Sequence, residues 1–294
     1  MSQAIQILVD ALSVGALYAL SALGIGLIFG IMRLINFAHG EFIALGAYLL
    51  MVMGGLWVPL AIVLMVAAIA VLAMSTERIA FRPVRNADPA TMLVTSFAVS
   101  FLLQNLYRLI WGSRPLGFDF LSILGTPLLI GEVRIPTLQL MTLGVTVLLL
   151  VALVLFLTRT HFGIEMRAAA VNFRMSRLLG VRADRVISVA FAMSGVLAAA
   201  VAAMHLSQTG SLTPVMGLQL ALVGFVSTIV GGMGSLPGAV LGGFFIGIVT
   251  VLLQSALPLD LRPYRDAFVF GIVILVLLVR PQGLFLSAQV RERI

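Results

Sequence analysis

The stretch Asn36-Phe-Ala-His-Gly-Glu41 places three polar side chains, Asn36, His39 and Glu41, between two apolar segments. An imidazole beside a carboxylate is the raw material of metal ligation or proton transfer. The spacing argues against both. Two side chains on one helix converge at i,i+3 or i,i+4, whereas His39 and Glu41 stand at i,i+2. The motif reads as a capping and inter-helix hydrogen-bond cluster at a membrane boundary, with gating of a pathway mouth as the alternative. No metal site is expected.

Polar residues inside apolar segments form a second set. A charge at mid-bilayer costs about 2.5–3.5 kcal/mol on insertion scales, so it should face protein or water. Gln104 and Arg108 lie one helical turn apart and share a face with Ser100. Arg108 can meet a substrate carboxylate, snorkel outward or pair with Asp119. His205, Gln208 and Gln219 are expected near the external end of the sixth and seventh spans, lining the mouth or sitting in interfacial water, and Ser227 and Thr228 can bond back to their own helix. Gly234, Gly238 and Gly242 recur every four residues, with Gly243 and Gly247 repeating the interval. On a helix these would form a smooth packing face. Pro237 predicts a break near 231–237. Gly26 and Gly30 offer another packing site.

The most basic stretch runs from Thr158 to Arg185. Its pattern predicts an amphipathic helix over Glu165–Leu179, with Met166, Ala169, Phe173 and Ser176 on one stripe and Arg167, Arg174 and Arg177 elsewhere. Gly180 is the expected stop. Such a helix suits docking in a partner's groove or lying on anionic headgroups, and spacing alone does not choose.

The elements that position these residues follow from composition. Of 294 residues, 61% are hydrophobic and 10% charged, against about 25% charged in an average soluble domain. Mean hydropathy is +1.17. That predicts an all-α, polytopic transmembrane bundle forming a single domain over residues 1–294. There is no cysteine, which excludes thiolate chemistry and cysteine-ligated metals. All 18 positive residues are Arg, so a Walker-type lysine and Schiff-base chemistry are excluded too. The net charge of +7 reads as topology, not as a nucleic-acid footprint.

A crossing needs about 20 apolar residues. Candidate spans begin near Ile5, Phe37, Pro59, Met92, Leu138, Val186, Leu218, Ala239 and Ala267, giving eight or nine crossings. The second and seventh are short and are candidates for re-entrant or broken helices. Met1 to Asp10 lacks a basic leader region, so the first span reads as retained. Arg33, the group Arg78, Arg82 and Arg85, the six Arg between 159 and 185, and Arg280, Arg291 and Arg293 make thirteen of 18 on one side. Arg114, Arg134, Arg262 and Arg265 lie on the other. The positive-inside rule then predicts an external N-terminus and a cytoplasmic C-terminus.

Four motifs carry a resemblance. Arg167-Ala-Ala-Ala-Val-Asn172 with Ser176-Arg-Leu-Leu-Gly-Val181 resembles the cytoplasmic loop of LivH-type permeases, the membrane subunits of branched-chain amino-acid ABC importers. Ile35 to Tyr48, Gly231 to Gly243 and Arg280-Pro-Gln-Gly-Leu-Phe285 are similar to three further family motifs, collinear over nearly the whole chain. One departure is Val171, where relatives tend to carry a polar residue.

The resemblance implies a non-enzymatic permease of the bacterial inner membrane. It implies partnership with a second, LivM-like permease, two cytoplasmic ATPase subunits and a periplasmic binding protein. ATP and Mg would be bound by the ATPases, with no cofactor on this chain. It also implies that Glu165 to Gly180, with Glu165, Arg167, Ala168, Asn172, Arg174, Arg177 and Gly180, contains the coupling helix. An apolar pathway suits leucine, isoleucine or valine, and equally urea, short amides or other hydrophobic amino acids. An ion-coupled secondary transporter or an intramembrane enzyme would need acids or a His set at depth. The spans offer almost none, since Asp10 and Asp266 stand near span ends.

Overall fold

The computed structural model describes residues 2–120, 127–130 and 133–284. Phe285, Arg291 and Arg293 lie outside the described residues. The long helices are α1 (Ser2–Met32), α3 (Val58–Thr76), α5 (Pro89–Trp111), α6 (Thr137–Arg159), α9 (Ala183–Thr209) and α11 (Leu236–Ala256). Through a π-helical turn, Glu77–Phe81, and the short α4 (Arg82–Val84), α3 extends to Val84. Shorter helices are α2 (Ala38–Val52), α7 (His161–Val171), α8 (Phe173–Leu178), α10 (Met216–Gly231) and α12 (Arg265–Val279).

Among the described residues, six helices are long and apolar enough to cross a membrane. The expected eight or nine crossings are therefore not reached by helices of spanning length. The second and seventh candidates become α2 and α10, at 15 and 16 residues. The ninth becomes α12, also 15 residues.

The bundle is built around α1. Its apolar window is 83% buried, against 22% for α3, α5 and α6. That difference separates a hub from a periphery: α1 has neighbours all round, whereas the outer helices show aliphatic side chains to lipid or to partners. Among them, Gly243 and Gly247 bring α11 against the backbone of α1 at Ala19 and Gly15, with no room for a side chain at either position. Two small antiparallel pairings qualify the all-α expectation: β1 (Leu116–Gly117) with β4 (Ser211–Leu212), and the hairpin of β2 (Pro127–Ile130) and β3 (Val133–Pro136).

Arg-bearing segments gather at one end. Arg82 and Arg85 pair with Asp184 there, and Arg33 and Arg167 border one cavity. Leu284 N–H donates to Val230 O at 2.7 Å, bringing the chain after Arg280 to the same end. The β1–β4 pair marks the other.

The break predicted near Pro237 is present. α10 ends at Gly231, and α11 restarts at Leu236 with Ser235 Oγ accepting from Gly238 N–H at 3.1 Å. Gly234 therefore sits in the connecting turn at φ 91°, not on a helical glycine face. Gly238 and Gly242 do face α10, against Gly231 and Ser227. Gly26 lies near Ala239 and Thr228, while a side chain at Gly30 would meet nothing within 4 Å. Gly30 packs against no helix and borders open space.

Candidate functional site

After α1 the chain turns at Arg33 and enters the bundle without regular secondary structure before α2 begins. Asn36 Oδ1 accepts from Ala38 N–H at 3.1 Å, closing the first turn. Asn36, His39 and Glu41 are all fully buried. The His39 ring lies against Gly24, eight residues before the end of α1. At 1.5 Å per residue that is about 12 Å inward from the Arg-rich end. The cluster therefore lies deep in the bundle, not at the boundary that the sequence suggested.

Its members diverge to different neighbours. Ser194 Oγ donates its single proton to Gly24 O at 3.1 Å, so at 2.9 Å it accepts from His39 Nδ1–H. Glu41 Oε1 accepts from Ser100 Oγ at 3.0 Å, and Tyr107 O–H donates to Glu41 O at 2.9 Å. His39 thus ties α2 to α9 and α1, and Glu41 ties it to α5. This is the inter-helix hydrogen-bond arrangement, with no shared ligand point between imidazole and carboxylate.

A short distance on, the first turn of α2 meets the first turn of α10. Gly40 and Gly217 touch through their carbonyls, with no space for a side chain on either. Ser21 Oγ donates to Leu220 O at 2.9 Å and Thr228 Oγ1 to Ala22 O at 3.2 Å, so α10 descends beside α1 toward the Arg-rich end. α2 runs the opposite way and finishes near Phe118, beside β1. Two half-length helices thus start back to back inside the bundle and leave toward opposite ends. Irregular backbone at such depth is tolerated where protein or a water-lined cavity satisfies it.

Beside this junction, α5 is the least apolar of the six spans. Its buried stripe is Met92, Ser96, Ser100, Gln104 and Tyr107. Arg108 donates to Gln104 Oε1 at 3.0 Å and to Asn105 Oδ1 at 3.4 Å. It stays on its own helix, and among the described residues it forms no ion pair with Asp119. Phe37, just before α2, stacks on Phe97 of α5 at 4.1 Å between centroids and meets Phe225 of α10 edge-on at 5.6 Å. Phe97 is 45% exposed, so the cluster borders the outer surface of the chain. Gln219 is exposed in the first turn of α10. Exposed or half-exposed polar groups at this depth belong against water or a partner rather than lipid. His205 is half-buried on α9 and does not join this group, while Gln208 Nε2 donates to Thr142 Oγ1 at 2.9 Å, tying α9 to α6.

At the Arg-rich end, the single helix expected over Glu165–Leu179 is two helices. Thr160 Oγ1 caps α7 by accepting from Gly163 N–H at 3.0 Å. Asn172 is extended at φ −151° and breaks the helix, while its Oδ1 caps α8 from Met175 N–H at 3.0 Å. The same short side chain that interrupts one helix starts the next. Gly180, at φ 89°, ends α8, with Gly180 N–H on Arg177 O and Val181 N–H on Ser176 O. Met166, Ala169 and Ser176 face inward; Arg167, Ala168 and Arg177 face out, and Glu165 is half-buried. The side chains of Phe173 and Arg174 lie outside the described residues. Leu178 and Leu179 are 76% and 79% exposed, an apolar pair outside the bundle beside several cations.

The sequence reading missed a clamp next to this segment. Glu77, in the π turn, accepts from Arg85 at 2.5 Å and from Ser188 Oγ at 2.8 Å. Asp184 receives both Arg85, at 2.5 Å, and Arg82. It ties the end of α3 to the start of α9. The i,i+3 pair Arg82 and Arg85, with Glu77 on the same continuing helix, is the signal that was present. The Phe37, Phe97 and Phe225 cluster was missed because single apolar residues in apolar spans carry no mark.

With this geometry in place, comparison with known proteins is decisive. The sequence model of the family described as "Branched-chain amino acid transport system / permease component" matches residues 7–278. The chain belongs to that permease family. The chain is 34% identical to the high-affinity branched-chain amino acid transport system permease protein BraD of Pseudomonas aeruginosa, over 98% of this chain and 97% of that one. The permease protein LivH of Escherichia coli K12 gives the same identity and coverage. A probable LivH of Methanocaldococcus jannaschii is 28% identical over 95% of this chain and 91% of its own. No solved structure matches. As a member of the permease family, the chain is a multi-pass membrane protein with transport, not catalysis, as its role.

Proposed function

We propose that this permease forms half of the inward pathway of an ATP-driven, binding-protein-dependent importer of branched-chain amino acids. Near-full-length similarity to BraD and LivH supports the substrate class. The observation that carries the pathway is the back-to-back start of α2 and α10 beside the polar stripe of α5. That face would meet the second, LivM-like permease, with Phe37, Phe97 and Phe225 at the narrow point. Asn36, His39 and Glu41 hold α2 in register there, and Gln104, Arg108 and Gln219 line the approach. α2 and α10 each complete a crossing with the non-helical chain before them.

The segment 159–185 is the coupling element. Asn172 makes it a helix pair, and Leu178 and Leu179, with Arg177, present an apolar and basic surface to a cytoplasmic ATPase subunit. The Arg-rich end faces the cytoplasm and the N-terminus lies outside. ATP and Mg act on two ATPase subunits, a periplasmic protein delivers the solute, and this chain holds no cofactor.

Reconstitution tests this. Proteoliposomes holding the chain with its permease partner, ATPases and binding protein are expected to accumulate leucine only with internal ATP. Uptake by the chain alone on an ion gradient would instead mark a secondary transporter. Accumulation of urea or short amides in place of leucine would move the substrate class.

A further inference from the structure

The open space beside Gly30 is part of a cavity of about 330 Å³ between the end of α1, the ends of α6 and α7, and the turn before α11. Leu27, Leu157 and Leu236 give it an apolar wall, and Arg33 and Arg167 stand at its rim. None of the described residues that line it is acidic. Among the described residues, neither guanidinium has an ion-pair partner. Arg33 is also the only non-glycine residue at positive φ among those described, at 56°. Such backbone strain persists where the surroundings hold a side chain to a particular place. Here Arg33 Nη1 comes to 3.7 Å from the point where a Gly234 side chain would begin, so the guanidinium lies beside the turn before α11.

We propose that this cavity binds an anionic glycerophospholipid, with its phosphate between Arg33 and Arg167 and the first part of an acyl chain against the leucine wall. Two cations without an acid fit a group that carries negative charge only. A zwitterionic amino acid would bring an ammonium with no counter-charge, and an acidic peptide would leave the apolar wall bare. Arg33 directly follows the last residue of α1, the depth at which headgroups meet a spanning helix. Basic pockets between spans at that level collect anionic headgroups. Arg167 belongs to α7, so the bound lipid braces the coupling segment against α1.

The test uses the full chain, purified and delipidated in neutral detergent. It is titrated with dioctanoyl phosphatidylglycerol, dioctanoyl phosphatidylcholine and inorganic phosphate, reading bound ligand by native mass spectrometry and Tm in parallel. Phosphatidylglycerol is expected to bind about tenfold more tightly than phosphatidylcholine, and the Arg33→Gln/Arg167→Gln double variant to lose most of that preference. Gly30→Leu keeps both charges and fills the cavity. It is expected to lose phosphatidylglycerol binding while its Tm without lipid stays at or above wild type. Undiminished phosphatidylglycerol binding by the double variant or by Gly30→Leu overturns the proposal. So does inorganic phosphate that binds and stabilises as well as the lipid.

Discussion

Gly40 and Gly217 meet backbone to backbone where α2 and α10 begin, each filling the place the other's side chain would need. Two helix N-termini, each a partial positive charge, thereby lie side by side inside the bundle. The carboxyl group of Glu41 lies buried in the first turn of α2, beside these two N-termini. Substituting either glycine by Ala is expected to force the two helix starts apart, at a cost of about 1–3 kcal/mol. Thermal unfolding in detergent reads this as a lower Tm. Gly144→Ala on α6, where a side chain meets nothing within 4 Å, is the control. It should be neutral or stabilising by about 0.5–1 kcal/mol. Equal effects at Gly40 and Gly144 would remove the close approach as the reason for glycine.

Ser194 links His39 to Gly24 through one hydroxyl. Ser194→Ala leaves a ring N–H and a carbonyl without that partner, at about 1–3 kcal/mol. His39→Ala combined with Ser194→Ala should cost less than the sum of the single changes, because the second loses a partner already gone. Additivity in such a cycle, measured by chemical unfolding, would show that the contact contributes nothing.

Glu77 and Asp184 share Arg85 but differ in surroundings. The Glu77 side chain is 2% exposed and that of Asp184 is 54% exposed. Breaking a buried pair from one side costs about 3–5 kcal/mol, whereas an exposed pair contributes about 0–1 kcal/mol. Glu77→Gln is therefore expected to lower Tm well beyond Asp184→Asn. The reverse order would place the clamp's strength at the surface.

Six of the nine candidate spans, and the division into an Arg-rich and an Arg-poor end, were legible because hydropathy and charge are additive along the chain. The break at Pro237 and the stop at Gly180 were legible because each rests on one residue's backbone. The segment before Gly180 was read with the right stop, a start four residues late at Glu165 instead of His161, and the wrong middle. Its 3.6-residue stripe continues through Asn172, yet that side chain caps α8 better than it continues α7. The depth of His39 was not legible at all. It depends on where α2 begins relative to Gly24, a distance in space that no local pattern encodes. The same holds for Gly30 and Gly234, which resemble packing glycines by interval and are placed beside a cavity and in a turn by the fold.

The stack of Phe37 on Phe97 joins the chain entering α2 to the surface of α5. Phe37 is 6% exposed and Phe97 is 45% exposed, so one ring anchors and the other presents a face. In the pathway proposed above a solute moving along α5 passes that face, and a stacked pair of rings contributes about 0.5–1.5 kcal/mol beyond its buried area. Phe97→Ala should therefore loosen the proposed narrow point while leaving the bundle folded, because nearly half of the side chain is exposed already. The expected outcome is passive leucine efflux several times faster than wild type from proteoliposomes without ATP, at a Tm within a few degrees of wild type. Phe37→Ala, which empties a buried position, should lower Tm by more. A Phe97→Ala transporter that remains as tight as wild type without ATP would remove the aromatic cluster from the gate and leave it a packing contact between α2 and α5.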